Sequence, residues 1–113
     1  MKLNHINLTV TDVEATHTFL QKYFGLQPLG KPNRTMGFLS DDNGMVISMF
    51  QGEKVSYPDT FHIGFIQESA ERVNEINQRL RNDGFDVPPP SKQHGAWTFY
   101  FQAPGGFTVE VMC

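Results

Sequence analysis

Cysteine is nearly missing from this chain: Cys113, the last of 113 residues, is the only one. No intrachain disulfide can form, and such usage fits a reducing compartment. Long apolar runs are missing as well. The start, Met-Lys-Leu-Asn-His, has no apolar core of a secretion signal, and no stretch approaches the roughly 20 residues of a membrane span. The expectation is a soluble, unprocessed cytoplasmic chain with no membrane partner. Charge of one sign is scarce too. Nine Lys and Arg stand against twelve Asp and Glu, for a net charge of -3. The cations are scattered rather than gathered into the basic stripe that phosphate backbones demand, which argues against a nucleic-acid partner. What the chain does have is phenylalanine, ten of them within a hydrophobic fraction of 39%. That predicts one globular domain with an aromatic core.

Residues 3–10 alternate as a half-buried strand does, with Ile6, Leu8 and Val10 on one side and His5, Asn7 and Thr9 on the other. Thr11-Asp12-Val13-Glu14 then reads as a capping box, with the Thr hydroxyl and Glu carboxylate satisfying free N–H groups at a helix start. Val13, Thr16, Phe19, Leu20, Tyr23 and Phe24 follow at helical spacing, and Gly25 ends the helix. His17 is read as off that stripe and at the surface. Short strands are expected at 26–30, 35–39 and 45–50, the last two joined by Asp42-Asn43-Gly44, whose Asn and Gly suit a tight turn. Met36, Met45, Met49 and Phe50 can line an adaptable apolar pocket, but core filling is the better reading.

The second half repeats this order. Residues 61–67 form a strand, Ser69 caps a helix with Val73, Ile76 and Leu80 on its apolar stripe, and Gly84 ends it. The Pro-rich 87–91 stretch reads as an edge or loop. Residues 97–102 and 107–112 are strands joined by Ala103-Pro104-Gly105-Gly106. His5 and His62 are 57 positions apart, Gly25 and Gly84 are 59, and Gly44 and Gly106 are 62. A slowly growing offset is what duplication with small loop insertions leaves. The chain is therefore expected to be α+β: a single domain of two tandem βαβββ modules, 1–52 and 60–113, with 53–59 as linker.

Each module opens on a strand carrying a histidine, and Glu110 lies on the last strand opposite the apolar Phe107, Val109 and Val111. A lone strand histidine is ordinarily a core residue bonded to a carbonyl. Two at equivalent points, with an inward glutamate that needs a cationic partner, point instead to a divalent metal held by His5, His62 and Glu110. Tyr100 and Thr98 share one face of their strand. Tyr100 is a candidate for orienting a ligand or stabilising an oxyanion, and Asn7 and Thr98 are candidates for substrate contact. The loop residue His94 is a candidate acid–base group. Arg34 and Lys92 are candidates for holding an anionic substrate.

The paired modules, the histidine in each first strand and the terminal Ala-Pro-Gly-Gly-Phe-Thr-Val-Glu resemble the vicinal oxygen chelate superfamily. That superfamily includes glyoxalase I, fosfomycin-resistance proteins, extradiol dioxygenases and bleomycin-resistance proteins. The resemblance implies that the modules bend into a curved mixed sheet around a cup-shaped site, with the helices outside. A substrate there would chelate the metal through adjacent oxygens. By the same resemblance His5, His62 and Glu110 match metal-ligand positions, and Tyr100 matches a tyrosine ten residues before the glutamate in the fosfomycin-resistance enzymes. Aligning 44–48 with 106–110 puts Ser48 where glyoxalase I has a fourth ligand, which disfavours a four-ligand site.

The resemblance further implies a small metal-dependent enzyme using Fe, Mn, Zn or Ni on a small-molecule substrate. Isomerase, lyase, transferase and oxygenase chemistry all stay open. The alternative is a metal-free protein that binds or sequesters a small molecule, as bleomycin-resistance proteins do. A homodimer is expected, in which His5 of one chain can join His62 and Glu110 of the other.

Overall fold

The computed structural model describes all 113 residues and has the element order β1 (His5–Val10), α1 (Val13–Phe24), β2 (Gln27–Pro28), β3 (Met36–Ser40), β4 (Val46–Gln51), β5 (His62–Ile66), α2 (Ala70–Asn82), β6 (Ser91–Gln93), β7 (Ala96–Ala103) and β8 (Phe107–Met112). This is the expected pair of βαβββ modules in an α+β fold. Each module makes its own four-stranded mixed sheet, in the orders β1-β4-β3-β2 and β5-β8-β7-β6. The central pair is parallel in both: β1 with β4 and β5 with β8. Two compact units result, Met1–Tyr57 with Pro104–Phe107, and Pro58–Ala103 with Thr108–Cys113.

In the first unit α1 begins at Asp12, whose carboxylate accepts the Ala15 N–H at 3.0 Å. The cap is thus Asp12 and not Thr11, because the helix starts at Val13 and Asp12 is the extended residue just before it, whose carboxylate reaches the free N–H three residues on. Gly25 closes the helix at φ 67°. Leu20, Phe19 and Tyr23 are buried as expected, but so is His17, at 2% exposure. Its ring Nε2 sits 3.2 Å from the Phe38 carbonyl. The surface reading of His17 is therefore wrong. At 3.6 residues per turn it lies only about 40° around the helix from Val13, squarely on the buried stripe. Gly37 on β3 makes the close approach possible, since a Cβ there would stand 3.2 Å from Val13 and 3.3 Å from His17.

The helix-facing side of this sheet carries Leu8, Val10, Leu39 and Met49, all essentially unexposed. Of the methionines and phenylalanine read as core filling, Met49 is core, while Met36 and Phe50 are 42% and 45% exposed. They fall on the other face, where they lie directly opposite each other across β3 and β4. The outer edge of β1 is partly blocked by Tyr57. Its hydroxyl accepts the Thr9 N–H at 2.9 Å and donates to the Thr9 carbonyl at 2.8 Å, which removes a template for unwanted strand pairing.

The turn at Pro104–Phe107 also belongs to the first unit. Thr11 N–H bonds the Gly105 carbonyl at 3.3 Å. Gly105 has φ 101°, and a Cβ on it would meet Thr16 Oγ1 at 2.6 Å and Val10 at 3.1 Å. Gly105→Ala should cost about 2–4 kcal/mol, backbone strain and overpacking combined. Gly30→Ala, at φ 75° but in open space, should cost only about 1–2 kcal/mol of backbone strain. Urea unfolding of the two variants checks this; equal losses would refute the close contact.

In the second unit Ser69 caps α2 by accepting the Arg72 N–H at 3.2 Å. Val73, Ile76 and Leu80 are buried as the spacing predicts, together with Asn77, whose amide donates to the Pro88 carbonyl at 2.7 Å. That bond ties the Pro-rich segment to the helix. Phe99, Phe101, Val109 and Val111 fill the core of β7 and β8.

Candidate functional site

In the parallel pair β5–β8, His62 lies opposite Thr108 and Gly64 opposite Glu110. Trp97 and Cys113 exchange both backbone hydrogen bonds, so antiparallel stepping along β7 and β8 places Tyr100 opposite Glu110. His62, Glu110, Tyr100 and Thr98 consequently meet on one face. Trp97, which donates its indole N–H to Asn74 of α2 at 2.8 Å, marks the other face as the helix side.

Glu110 is 8% exposed, and no lysine or arginine pairs with it. Thr98, fully buried, holds its hydroxyl 2.7 Å from Glu110 Oε2 and 3.1 Å from the Val111 carbonyl. The other carboxylate oxygen, Oε1, stands 3.4 Å from His62 Nε2. His62 Nδ1 is 2.9 Å from the Thr60 carbonyl, which can only accept, so Nδ1 carries a proton. In the neutral ring Nε2 then bears a lone pair. Two lone-pair atoms at this distance repel unless a cation, a proton or a metal ion, lies between them.

The donor set fits a metal. Ligand atoms bound at about 2.1 Å around a tetrahedral or octahedral ion stand roughly 3.0–3.5 Å apart, and 3.4 Å is within that range. The Thr60 carbonyl and the Thr98 hydroxyl are the outer partners that orient such ligands. The Tyr100 ring meets the His62 ring edge-on, centroids 5.3 Å apart at 86°. Burial, then a hydrogen bond to Glu110 and its negative charge, push the Tyr100 phenol above its ordinary range. Tyr100 is thus held as a neutral donor and not a base.

His5 lies at the start of β1 in the first unit, exposed, with Nδ1 3.1 Å from the Asn4 side-chain oxygen. No group of three or more His, Cys, Asp or Glu side chains within the chain is placed to hold a metal. Asn7, on the same face of β1 as His5, accepts a hydrogen bond from Ser48 at 2.8 Å. Asn7 pairs with Ser48 in the same register in which Gly64 pairs with Glu110, so Ser48 does occupy the place of Glu110 in the first module. Lys92 lies opposite Trp97, on the helix side of its sheet and away from Glu110. His94 is exposed in the β6–β7 turn at φ 52°, and Arg34 is exposed in the β2–β3 loop. Thr60 and Ser48 were not among the expected site residues. Thr60 lies two positions before the histidine, but its contribution is a backbone carbonyl, which any residue type supplies.

Comparison with known proteins shows the family. Residues 2–111 match the family model described as the Glyoxalase/Bleomycin resistance protein/Dioxygenase superfamily. The solved structure of a possible glyoxalase from Bacillus cereus is 52% identical, with a TM-score of 0.93, covering 100% of this chain and 99% of its own. A variant of the genomically encoded fosfomycin resistance protein FosX from Listeria monocytogenes, solved with Mn(II) and 1S,2S-dihydroxypropylphosphonic acid, is 26% identical. Its TM-score is 0.80, with 97% of this chain and 90% of that chain covered. A trivalent organoarsenical cleaving enzyme from Bacillus sp. strain MD1 is 30% identical over 84 residues, 74% of this chain and 52% of the enzyme. The chain spans about half the length of that relative.

Proposed function

Because this chain belongs to the glyoxalase/bleomycin resistance protein/dioxygenase superfamily, the vicinal oxygen chelate proteins, we propose that it is a small metal-dependent enzyme acting on a substrate with adjacent oxygens. His62 and Glu110 hold the divalent metal, and His5, from the same chain or a second copy, completes a three-ligand face. The observation that carries this reading is the 3.4 Å pairing of His62 Nε2 with Glu110 Oε1, with both residues oriented from behind. When bound, the metal supplies Lewis-acid polarisation of the substrate oxygens. Mn(II) in the FosX structure supports a divalent ion without choosing among Fe, Mn, Zn and Ni.

The chain's own residues divide the remaining work. Thr98 fixes the Glu110 carboxylate, the Thr60 carbonyl fixes the His62 tautomer, and Tyr100 keeps a proton to donate to a ligand oxygen. Ser48 in place of a second glutamate leaves three protein ligands and open positions for substrate, which separates this site from that of glyoxalase I.

Metal analysis of protein purified without chelators, followed by titration with Mn(II) and Zn(II), tests the reading. One ion per His62–Glu110 pair is expected. No bound metal and no uptake would favour instead a binding protein that sequesters a small molecule.

A further inference from the structure

An asparagine side chain and the backbone nitrogen of the next residue can close a five-membered ring. A glycine in the second place leaves that nitrogen unshielded, because it has no Cβ. Asn43, in the turn between β3 and β4, is the one asparagine of this chain that precedes a glycine. The turn leaves both reacting groups free. Asp41 Oδ1 accepts the N–H groups of Asn43 at 2.9 Å and of Met45 at 2.8 Å, and the Asp41 N–H bonds the Met45 carbonyl at 3.0 Å. The amide between those two, Gly44 N–H, has no acceptor within the chain, and the Asn43 side chain has no partner either. Both residues are exposed. Gly44 stands at φ 84° with nothing within 4 Å of the place of a Cβ, and the two line an open cleft of about 360 Å³. Water reaches the reacting atoms directly.

The other asparagines are held. Asn4, Asn7, Asn33, Asn74, Asn77 and Asn82 each have the side chain in a hydrogen bond, and each is followed by a residue with a side chain of its own. Asp83-Gly84 could close the same ring with loss of water. There, however, the Gly84 N–H is bonded to the Arg81 carbonyl at 3.1 Å, so its nitrogen is occupied.

We propose that Asn43 is a site of spontaneous deamidation and isomerisation, at a rate set by the hold of Asp41 on the turn. Solvent hydroxide takes the Gly44 N–H proton, and the nitrogen attacks the carbonyl carbon of the Asn43 side chain. That N–C bond forms as the C–NH2 bond breaks, and the amide group leaves as ammonia after taking a proton from water. Water then opens the ring at one of its two carbonyls. Opening at the side-chain carbonyl leaves aspartate; opening at the main-chain carbonyl leaves isoaspartate, in which the chain runs through the side-chain methylene. The added backbone atom lies inside the loop that Asp41 and Met45 close, one residue before β4 begins at Val46. A third carboxylate also comes to stand beside Asp41 and Asp42, where like charges repel. The modification therefore ages the protein at the hairpin that sets β3 against β4.

Full-length protein incubated at neutral and at mildly alkaline pH, then digested and mapped by mass spectrometry, tests this, with isoaspartate detected through its methylation by an isoaspartyl methyltransferase. Conversion is expected at Asn43, faster at the higher pH, with the other six asparagines intact and the melting temperature falling as isoaspartate accumulates. Asp41→Ala, which releases the two amides flanking Gly44, should convert about fivefold faster, as loss of the hydrogen bonds that hold the turn predicts. Asn43→Ser should gain no methylation. An intact Asn43 in the folded chain, equally fast conversion at another asparagine, an unchanged rate in Asp41→Ala, or methylation that persists in Asn43→Ser would overturn the assignment. Should Asp41→Ala not fold, the wild-type map alone decides.

Discussion

Glu110→Ala should abolish stoichiometric metal uptake, weakening it at least about a hundredfold, while the metal-free protein folds as before or more stably. Both halves follow from the same burial. A carboxylate 8% exposed with no lysine or arginine beside it costs free energy to keep out of water unless a cation compensates. Thr98 and Tyr100 only soften that cost with hydrogen bonds. Removing the carboxylate relieves it in the metal-free state and leaves the Thr98 hydroxyl its second acceptor, the Val111 carbonyl at 3.1 Å. In the metal-bound state the loss is of a direct ligand, which exceeds the 10–100-fold typical of outer partners. Thermal melts separate the two effects. Metal at a hundred times its dissociation constant should stabilise the wild type by about 2.7 kcal/mol, and the variant not at all. Metal content equal to wild type in Glu110→Ala would remove the site as drawn.

Much of this geometry can be read from side-chain alternation. His5, Asn7 and Thr9 fall on the face opposite Leu8 and Val10, and Glu110 falls opposite Val109 and Val111, because period two assigns faces whatever the partner strand. The repeat offsets carry the equivalence of Ser48 with Glu110 into the structure unchanged. Alternation is silent on register, however. The Asn7–Ser48 and Thr98–Glu110 hydrogen bonds join residues 41 and 12 positions apart, and only strand pairing shows them. Helix faces are read less securely. His17 was misplaced because a polar residue among Val13, Thr16 and Leu20 looks like an interruption, when its nitrogen bonds a β3 carbonyl within the packed interface. Met36 and Phe50 mislead in the opposite sense: apolar residues suggest core, yet their strand parity matches Ser48 and puts them on the open face. Lys92 was drawn to the site by its charge alone, and its pairing with Trp97 turns it away.

Mixing two dead variants should restore metal binding. His5→Ala lacks the third donor and Glu110→Ala lacks the carboxylate, so neither is expected to bind metal alone. In a dimer with crossed sites, each site takes His5 from one chain and His62 with Glu110 from the other. A mixed dimer then contains one intact site, built from His5 of the Glu110→Ala chain and His62 and Glu110 of the His5→Ala chain, and one site broken twice. Co-refolding equal amounts produces half mixed dimers by random pairing, hence about one metal ion per four chains. If all three donors come from one chain, no combination restores a site and the mixture stays empty. His62 and Glu110 come from one chain, so the outcome turns on the source of His5, which the crossed-dimer proposal assigns to the partner. Light scattering of the wild type should give about twice the 12.8 kDa chain mass; a monomer that still binds metal would rule out crossing. An empty mixture of demonstrated dimers would instead assign His5 to its own chain's site.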